Sequence, residues 1–450
     1  MSQNMEIGEN KLGTMPIGKL LVSMSLPTTF SMLIMAMYNI VDSIFVSRYS
    51  EAALTAVSLA FPMQNLMIAF SVGTGVGITS VVSRRLGEKR EEEARKSAET
   101  GFLIEMAFML MFVVLGLVFS KPFISLYTKD QQLIDMGTTY LRICLMISVG
   151  TFVNVFCEKT LQATGDTIHP MIIQASGAIF NIIFDPILIF GLFGLPAMGV
   201  AGAAIATVAG QIFAMFVGLI SLKKNKYLKM SIFKCKFDKA SAKDILSVGI
   251  PSVIMQGIGT IMTSLMNAIL IAYDILATTF FGVYFKLQSF VFMPVFGMNS
   301  GLMPILGYNF GAKNKARLMK ALKLGMIVAA FIMTFGAVIF MLFPDVLMGM
   351  FNASDNLLAI GRSAMWKIAL SFPLASICIM LGSLYQAIGD GYLSMITSIV
   401  RQIGFLVPLS WILGKLFGLD AIWFSYIMAE VISLILNLFF FKVEKKRLNF

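Results

Sequence analysis

Gln162-Ala163-Thr164-Gly165-Asp166 returns 224 positions later as Gln386-Ala387-Ile388-Gly389-Asp390. The same offset pairs Pro27 with Pro251, Leu86-Gly87-Glu88-Lys89 with Phe310-Gly311-Ala312-Lys313, and Leu192-Phe193-Gly194-Leu195 with Leu416-Phe417-Gly418-Leu419. A period this long is not that of a solenoid. It divides the chain into two homologous halves. Hydrophobic residues make up 58% of the 450 and charged residues 13%, where a soluble domain carries roughly 25% charged residues. There is too little polar surface here to clothe a soluble particle. The halves are therefore expected to be membrane bundles, an architecture that secondary transporters use for alternating access.

Apolar runs long enough to cross a bilayer, about 20 residues each, fall near 17–46, 53–82, 97–120, 133–161, 168–191, 196–222, 243–272, 277–305, 318–342, 357–386, 392–414 and 420–441. That is six in each half. An even number sends both halves into the membrane in the same direction, so the repeats are parallel. The expected fold is an all-α integral membrane protein: twelve transmembrane helices in two pseudo-symmetric six-helix lobes, 1–222 and 244–450, joined by a basic linker at 223–243. Residues 1–10 carry no Lys or Arg and no apolar run, unlike a cleaved signal peptide. The first span is expected to serve as the insertion signal.

Basic residues set the orientation. Arg84, Arg85, Lys89, Arg90, Arg95 and Lys96 follow the second span; Lys223 to Lys243 supply eight lysines after the sixth; Lys313 to Lys323 follow the eighth; and Lys442, Lys445, Lys446 and Arg447 follow the twelfth. All of these loops lie on one side, which is expected to be cytoplasmic together with both termini. The net charge of +11 then reflects topology and the anionic inner leaflet, not nucleic-acid binding. ATP chemistry is not indicated, because Gly307-Tyr308-Asn309-Phe310-Gly311-Ala312-Lys313 lacks the spacing and ending of a phosphate-cradling loop. Cys144, Cys157, Cys235, Cys378 and the single His169 are scattered, so no metal site or cofactor is expected. No nucleophile–base set suggests an enzyme.

Polar groups inside apolar spans carry the remaining information, since burying them is costly and they usually face an internal cavity. Asp42 closes Tyr38-Asn39-Ile40-Val41-Asp42, with Tyr38 and Asn39 four and three residues before it. Asn181 and Asp185 share a helical face at i, i+4. Pro186 has no N–H and would free the carbonyl of Ile182. Together these make a cluster of hard oxygen ligands for a monovalent cation, or a proton trap. Glu158 adjoins Lys159 and is expected to pair with it. Glu105, Lys286, Arg401 with Gln402, and Glu430 are further intramembrane polar groups without an evident partner. Met and Phe are abundant, at 34 and 39 residues, and suit adaptable contacts to apolar cations. Tyr38, Met35, Phe152, Met255, Gln256, Met262 and Phe285 are candidates to line a chamber for such molecules. Pro27 and Pro251 are expected to kink the first helix of each lobe.

Tyr38-Asn39-Ile40-Val41-Asp42, the run Asn181-Ile182-Ile183-Phe184-Asp185-Pro186, the segment Gly199-Val200-Ala201-Gly202-Ala203-Ala204-Ile205-Ala206-Thr207 and the two Gln-Ala-x-Gly-Asp loops resemble the multidrug and toxic-compound extrusion (MATE) family. The resemblance covers essentially the whole chain. It implies an antiporter in the plasma membrane of a prokaryote that exports small organic cations or amphipathic drugs against sodium or protons. It also implies a monomer surrounded by membrane lipids. In the prokaryotic branch, the cation site would comprise Asp42, Asn181 and Asp185, with Thr207, Asn154 and Asn39 beside them. Another branch places essential acids in the second lobe, but there the repeat sets Met266 against Asp42 and Leu409 against Asp185. Lipid-linked oligosaccharide flippases share the two-lobe plan and form the alternative; a larger, more cationic cavity would mark them.

Overall fold

The computed structural model describes residues 10–351 and 354–447. Among these residues ten helices are long and apolar enough to cross a bilayer, and two bent helix pairs, each taken as one span, bring the number to twelve. The first half runs through Ile17–Tyr49 (span 1), Glu51–Gly87 (span 2), Glu91–Ser125 (span 3), the pair Gln131–Met146 and Val149–Ala163 (span 4), Ile168–Phe190 (span 5) and Val200–Lys223 (span 6). The second half repeats the order with Lys239–Ile271 (span 7), Ile275–Gly311 (span 8), Lys315–Leu342 (span 9), the pair Asp355–Ala369 and Phe372–Ile388 (span 10), Gly391–Phe417 (span 11) and Leu419–Arg447 (span 12). The protein is thus the all-α, two-lobed membrane bundle that its apolar runs describe. The cytoplasmic placement expected for the two ends concerns terminal residues outside those described.

Short polar residues set where the helices restart, by accepting the free N–H groups of a first turn. Ser50 Oγ accepts from Ala53 N at 3.0 Å and turns the chain sharply between spans 1 and 2. Asp238 accepts from both the backbone N–H (2.8 Å) and the hydroxyl (2.5 Å) of Ser241, so span 7 begins at Lys239, inside the stretch read as linker. Those two hydrogen bonds hold the Asp238 carboxyl below the ordinary carboxylate range.

The sharp bends fall elsewhere than at the matched prolines. Spans 4 and 10 bend by 47° and 46°, at corresponding places in the two halves, whereas the helices pass unbroken through Pro27 and Pro251. At Pro27 the structure shows how: the missing N–H frees the carbonyl of Ser23, and Thr167 Oγ1 donates to it at 3.2 Å. The Gln-Ala-x-Gly-Asp loops end spans 4 and 10 in the same way. Gly165 (φ 95°) and Gly389 (φ 102°) take up the left-handed conformation that stops a helix. Asp166 Oδ1 then accepts from the N–H groups of Ile168 and His169, both at 3.2 Å.

The halves meet at the end that bears the basic loops. There spans 2 and 8 cross with their backbones touching. A Cβ on Gly87 would lie 1.9 Å from the carbonyl oxygen of Tyr308, and one on Gly311 would lie 2.0 Å from that of Arg84. These are the two glycines of the matched Leu-Gly-Glu-Lys and Phe-Gly-Ala-Lys segments, so this part of the repeat records a two-fold related crossing. Ser80 Oγ donates to Gln386 O at 2.5 Å, and Arg84 donates to Ile388 O at 3.1 Å. Arg85 reaches Asp244 at 3.0 Å and Ser241 at 2.7 Å. Residues read as orientation signals therefore also fasten one lobe to the other. The segment Asn10–Met15 adds a strap: Asn10 Nδ2 donates to Thr164 O (3.1 Å) in the first half, while Asn309 and Arg317 of the second half donate to Leu12 O (3.1 and 3.2 Å) and Arg317 to Met15 O (2.7 Å).

The crossing is directly testable in detergent-solubilised protein. Gly311→Ala should lower the unfolding midpoint, because overpacking of this kind costs about 1–3 kcal/mol. Gly257→Ala, in span 7 where an added Cβ meets nothing within 4 Å, should not. Equal midpoints for the two variants would show that spans 2 and 8 do not touch there.

Candidate functional site

In the first lobe, spans 1, 5 and 6 bring Tyr38, Asp42, Asn181, Asp185 and Thr207 together. Asn181 Nδ2 donates to Asp185 Oδ1 at 3.3 Å and to Thr207 Oγ1 at 3.4 Å. Asn181 is 2% exposed and Asp185 0%. The Asp42 and Asp185 carboxyls lie side by side, and Tyr38 faces Thr207. Asp42 Oδ1, Asp185 Oδ2 and Asn181 Oδ1 are buried without a hydrogen-bond partner. Such acceptors are expensive to leave unpaired. Among the described residues no basic side chain pairs with either carboxyl. Two adjacent carboxyls in that setting cannot both carry an uncompensated charge; they need a shared proton or a cation.

Next to this group is a cavity of about 30 Å³, lined by Tyr38, Asn154, Gln174, Asn181, Thr207 and Gln211 together with small residues. Its size is that of a single water molecule or ion. Asn154 Nδ2 donates to Gln211 Oε1 at 3.4 Å, and Asn154 Oδ1 is buried without a partner. Gln174 and Gln211 were not singled out in the sequence. Their signal was the same as that of Asn181: an amide inside an apolar span.

Several expectations need correction. Asn39 lies on the exposed face of span 1, away from the cluster. Consecutive helical residues point about 100° apart, so Tyr38 and Asn39 flank Asp42 on opposite sides, and only Tyr38 falls inside. Phe152 is 0% exposed and packs in the first-lobe core, its ring 6.0 Å from that of Phe112, and it borders neither cavity. Met35 is half-buried on span 1 and borders neither cavity. Glu158 does not pair with Lys159: Lys159 Nζ donates to Gln162 Oε1 at 3.3 Å, while Glu158 Oε1 is buried without a partner. Neighbours in sequence diverge around a helix, whereas i, i+3 residues meet. Glu105 is fully buried against Ser71, with neither oxygen hydrogen-bonded.

The other four candidates, Met255, Gln256, Met262 and Phe285, line a cavity of about 550 Å³ built from second-lobe residues. Its wall also contains Arg401, which donates to Glu430 Oε2 at 3.1 Å. The partner missing for Glu430 is thus a residue of span 11. At the positions matched by the repeat to the acidic cluster, Met266 is packed in the second-lobe core, so the two lobes carry different chemistry on one scaffold.

The MatE family model matches this chain twice, over residues 27–187 and 251–412. Those stretches begin at the two matched prolines. Among curated relatives, the multidrug export protein MepA of Staphylococcus haemolyticus is 26% identical over 435 residues, covering 96% of this chain and 95% of that protein. MepA of Staphylococcus aureus is 25% identical over 423 residues, covering 92% and 91%. A FAD transporter of Shewanella oneidensis is 25% identical over 399 residues, covering 88% of each. Solved structures share the fold. A MATE in the straight conformation superposes with a TM-score of 0.90 at 24% identity, covering 98% of both chains. An outward-facing multidrug resistance MATE transporter of the MOP superfamily superposes with a TM-score of 0.89 at 24% identity, covering 96% of this chain and 97% of that one. With the family pattern matched across both halves of a two-lobed bundle, the chain belongs to the MatE family of membrane transporters.

Proposed function

We propose that this transporter is a cation-coupled antiporter that expels small organic cations or amphipathic drugs from the cytoplasm of a prokaryote. The observation that carries the reading is the Asp42–Asp185 pair, with its buried, unpartnered oxygens and, among the described residues, no basic side chain paired with it. Carboxylate, amide and hydroxyl oxygens suit a sodium ion, and the adjacent carboxyls equally suit a proton. The relatives named for multidrug export support organic molecules as the cargo. The positive-inside bias of the loops supports a cytoplasmic position for the end where the lobes are fastened, which makes this an outward-facing state. The flippase alternative finds less support, because a flippase chamber is expected to be strongly cationic and, among the described residues, Arg401 is the one Lys or Arg that lines the second-lobe cavity.

In this mechanism a sodium ion or proton enters from outside and sits between Asp42 and Asp185. Span 1, which carries Asp42, also carries Pro27 and packs against span 8, where Thr28 Oγ1 donates to Gly297 O at 2.6 Å. Cation occupancy can therefore alter how span 1 packs between the lobes. Coupling requires that cation and drug favour different states. Release of the drug outside is followed by rocking of the lobes, loss of the cation to the cytoplasm, and loading of new drug. The chain works as a monomer, with membrane lipid around its apolar exterior.

Ethidium efflux from cells and from proteoliposomes tests the proposal. Asp42→Asn and Asp185→Asn should each cut gradient-driven efflux by about tenfold or more, since a coupling of 1–3 kcal/mol corresponds to 5–150-fold. Asn39→Ala, outside the cluster, should retain it within about twofold. Undiminished gradient-dependent export by both aspartate variants would remove the cluster from the mechanism.

A further inference from the structure

The cavity in the second lobe has the composition of a binding site rather than of a packing defect. At about 550 Å³ it falls in the range of small-molecule sites, and its apolar side is built from Met255, Met262, Phe285 and Phe292. The polar side is unusual for a bilayer-embedded wall. Gln288 Oε1, Asn299 Oδ1, Glu430 Oε1 and Asn437 Oδ1 all belong to lining residues and are buried without a partner. Asn437 is oriented by its own donor, since its Nδ2 bonds Ser433 O at 2.9 Å.

Arg401 is the counterpart of these acceptors. Among the described residues its guanidinium makes one hydrogen bond, to Glu430 Oε2, out of five N–H groups available. Its side chain is 29% exposed and that of Glu430 6%. An ion pair kept for structure alone should have its remaining donors satisfied, because a half-satisfied buried network is worse than an apolar core. The backbone adds a second, independent sign. Val400–Leu406 forms a π-helical turn, a wide and rare geometry that occurs mostly at functional sites. It carries Arg401 and Gln402, both of which line the cavity.

We infer that this second-lobe cavity binds a zwitterionic amphipath. The carboxylate of the ligand takes the free N–H groups of Arg401, its N–H donors meet the acceptor oxygens of Gln288, Asn299 and Asn437, and its apolar body lies against Met255 and Phe292. Glu430 acts as the counterion of Arg401, holding the guanidinium until a ligand carboxylate competes for it. The site is distinct from the Asp42–Asp185 cluster in position and in charge. Planar bidentate recognition is what distinguishes arginine from lysine here.

The inference rests on the reading of the chain as an exporter of organic molecules, but its test reads binding, so failed export and a failed site give different results. Rhodamine 110, which bears a carboxylate, and rhodamine 123, its methyl ester, differ only at the group assigned to Arg401. Their affinities for purified protein can be measured by fluorescence polarisation. Arg401→Gln should weaken rhodamine 110 by about tenfold or more while changing rhodamine 123 by less than about threefold, the difference expected for losing a charge-assisted pair. Glu430→Gln should act in the opposite sense and tighten rhodamine 110, which keeps the test decisive if Arg401→Gln fails to fold. Parallel loss of both dyes in Arg401→Gln, or rhodamine 110 binding that is unchanged or weaker in Glu430→Gln, would overturn the assignment.

Discussion

Two carboxyls side by side in a membrane-spanning lobe, with no basic partner among the described residues, impose a condition that the rest of the molecule must meet. Asp42 comes from span 1 and Asp185 from span 5, so their mutual repulsion acts between helices unless a proton or cation sits between them. Asn181 holds Asp185 within span 5 and is itself anchored to Thr207 of span 6. Span 1 is the element with freedom, because it packs on the partner lobe as well as on its own. A charge event inside the first lobe is thereby joined to the surface along which the lobes rock.

That surface is built from backbone contact. Gly87 and Gly311 let spans 2 and 8 touch at one end, and Ser80, Arg84 and Arg85 fasten the crossing with hydrogen bonds to the opposite lobe. Most of these bonds end on carbonyls or hydroxyls, and the one charged partner, Asp244, is half exposed. Such contacts can be exchanged for water without stranding a buried charge. Closure by bonds of this kind is compatible with reversible opening, where a network of buried ion pairs would resist it.

The sequence made the scaffold legible because length and hydropathy alone specify a spanning helix, and because Gly87 and Gly165 recur as Gly311 and Gly389 with their backbone roles intact. It was silent on the bends in spans 4 and 10, since only Pro373 marks either of them and a bend otherwise depends on what packs alongside. Asp42, Asn181 and Asp185 were legible as polar groups in apolar runs. Asn39 was misplaced because a three-residue spacing does not say on which side of Asp42 the helix meets its neighbours. The Arg401–Glu430 pair was hidden for a different reason: its members lie 29 residues apart on separate spans, and no local pattern connects them. The roles of Arg84 and Arg85 between the lobes were concealed by the topological signal they also carry.

The central claim is that drug and cation compete through the Asp42–Asp185 pair. Cation release on drug binding measures it most directly. Purified protein in weakly buffered detergent solution would be titrated with ethidium while a pH-sensitive dye follows protons and preloaded radioactive sodium follows the metal ion. Wild-type protein should release one of the two cations as drug binds, and Asp185→Asn should bind drug with no release of either. Release that is the same in wild type and in Asp185→Asn would contradict the account.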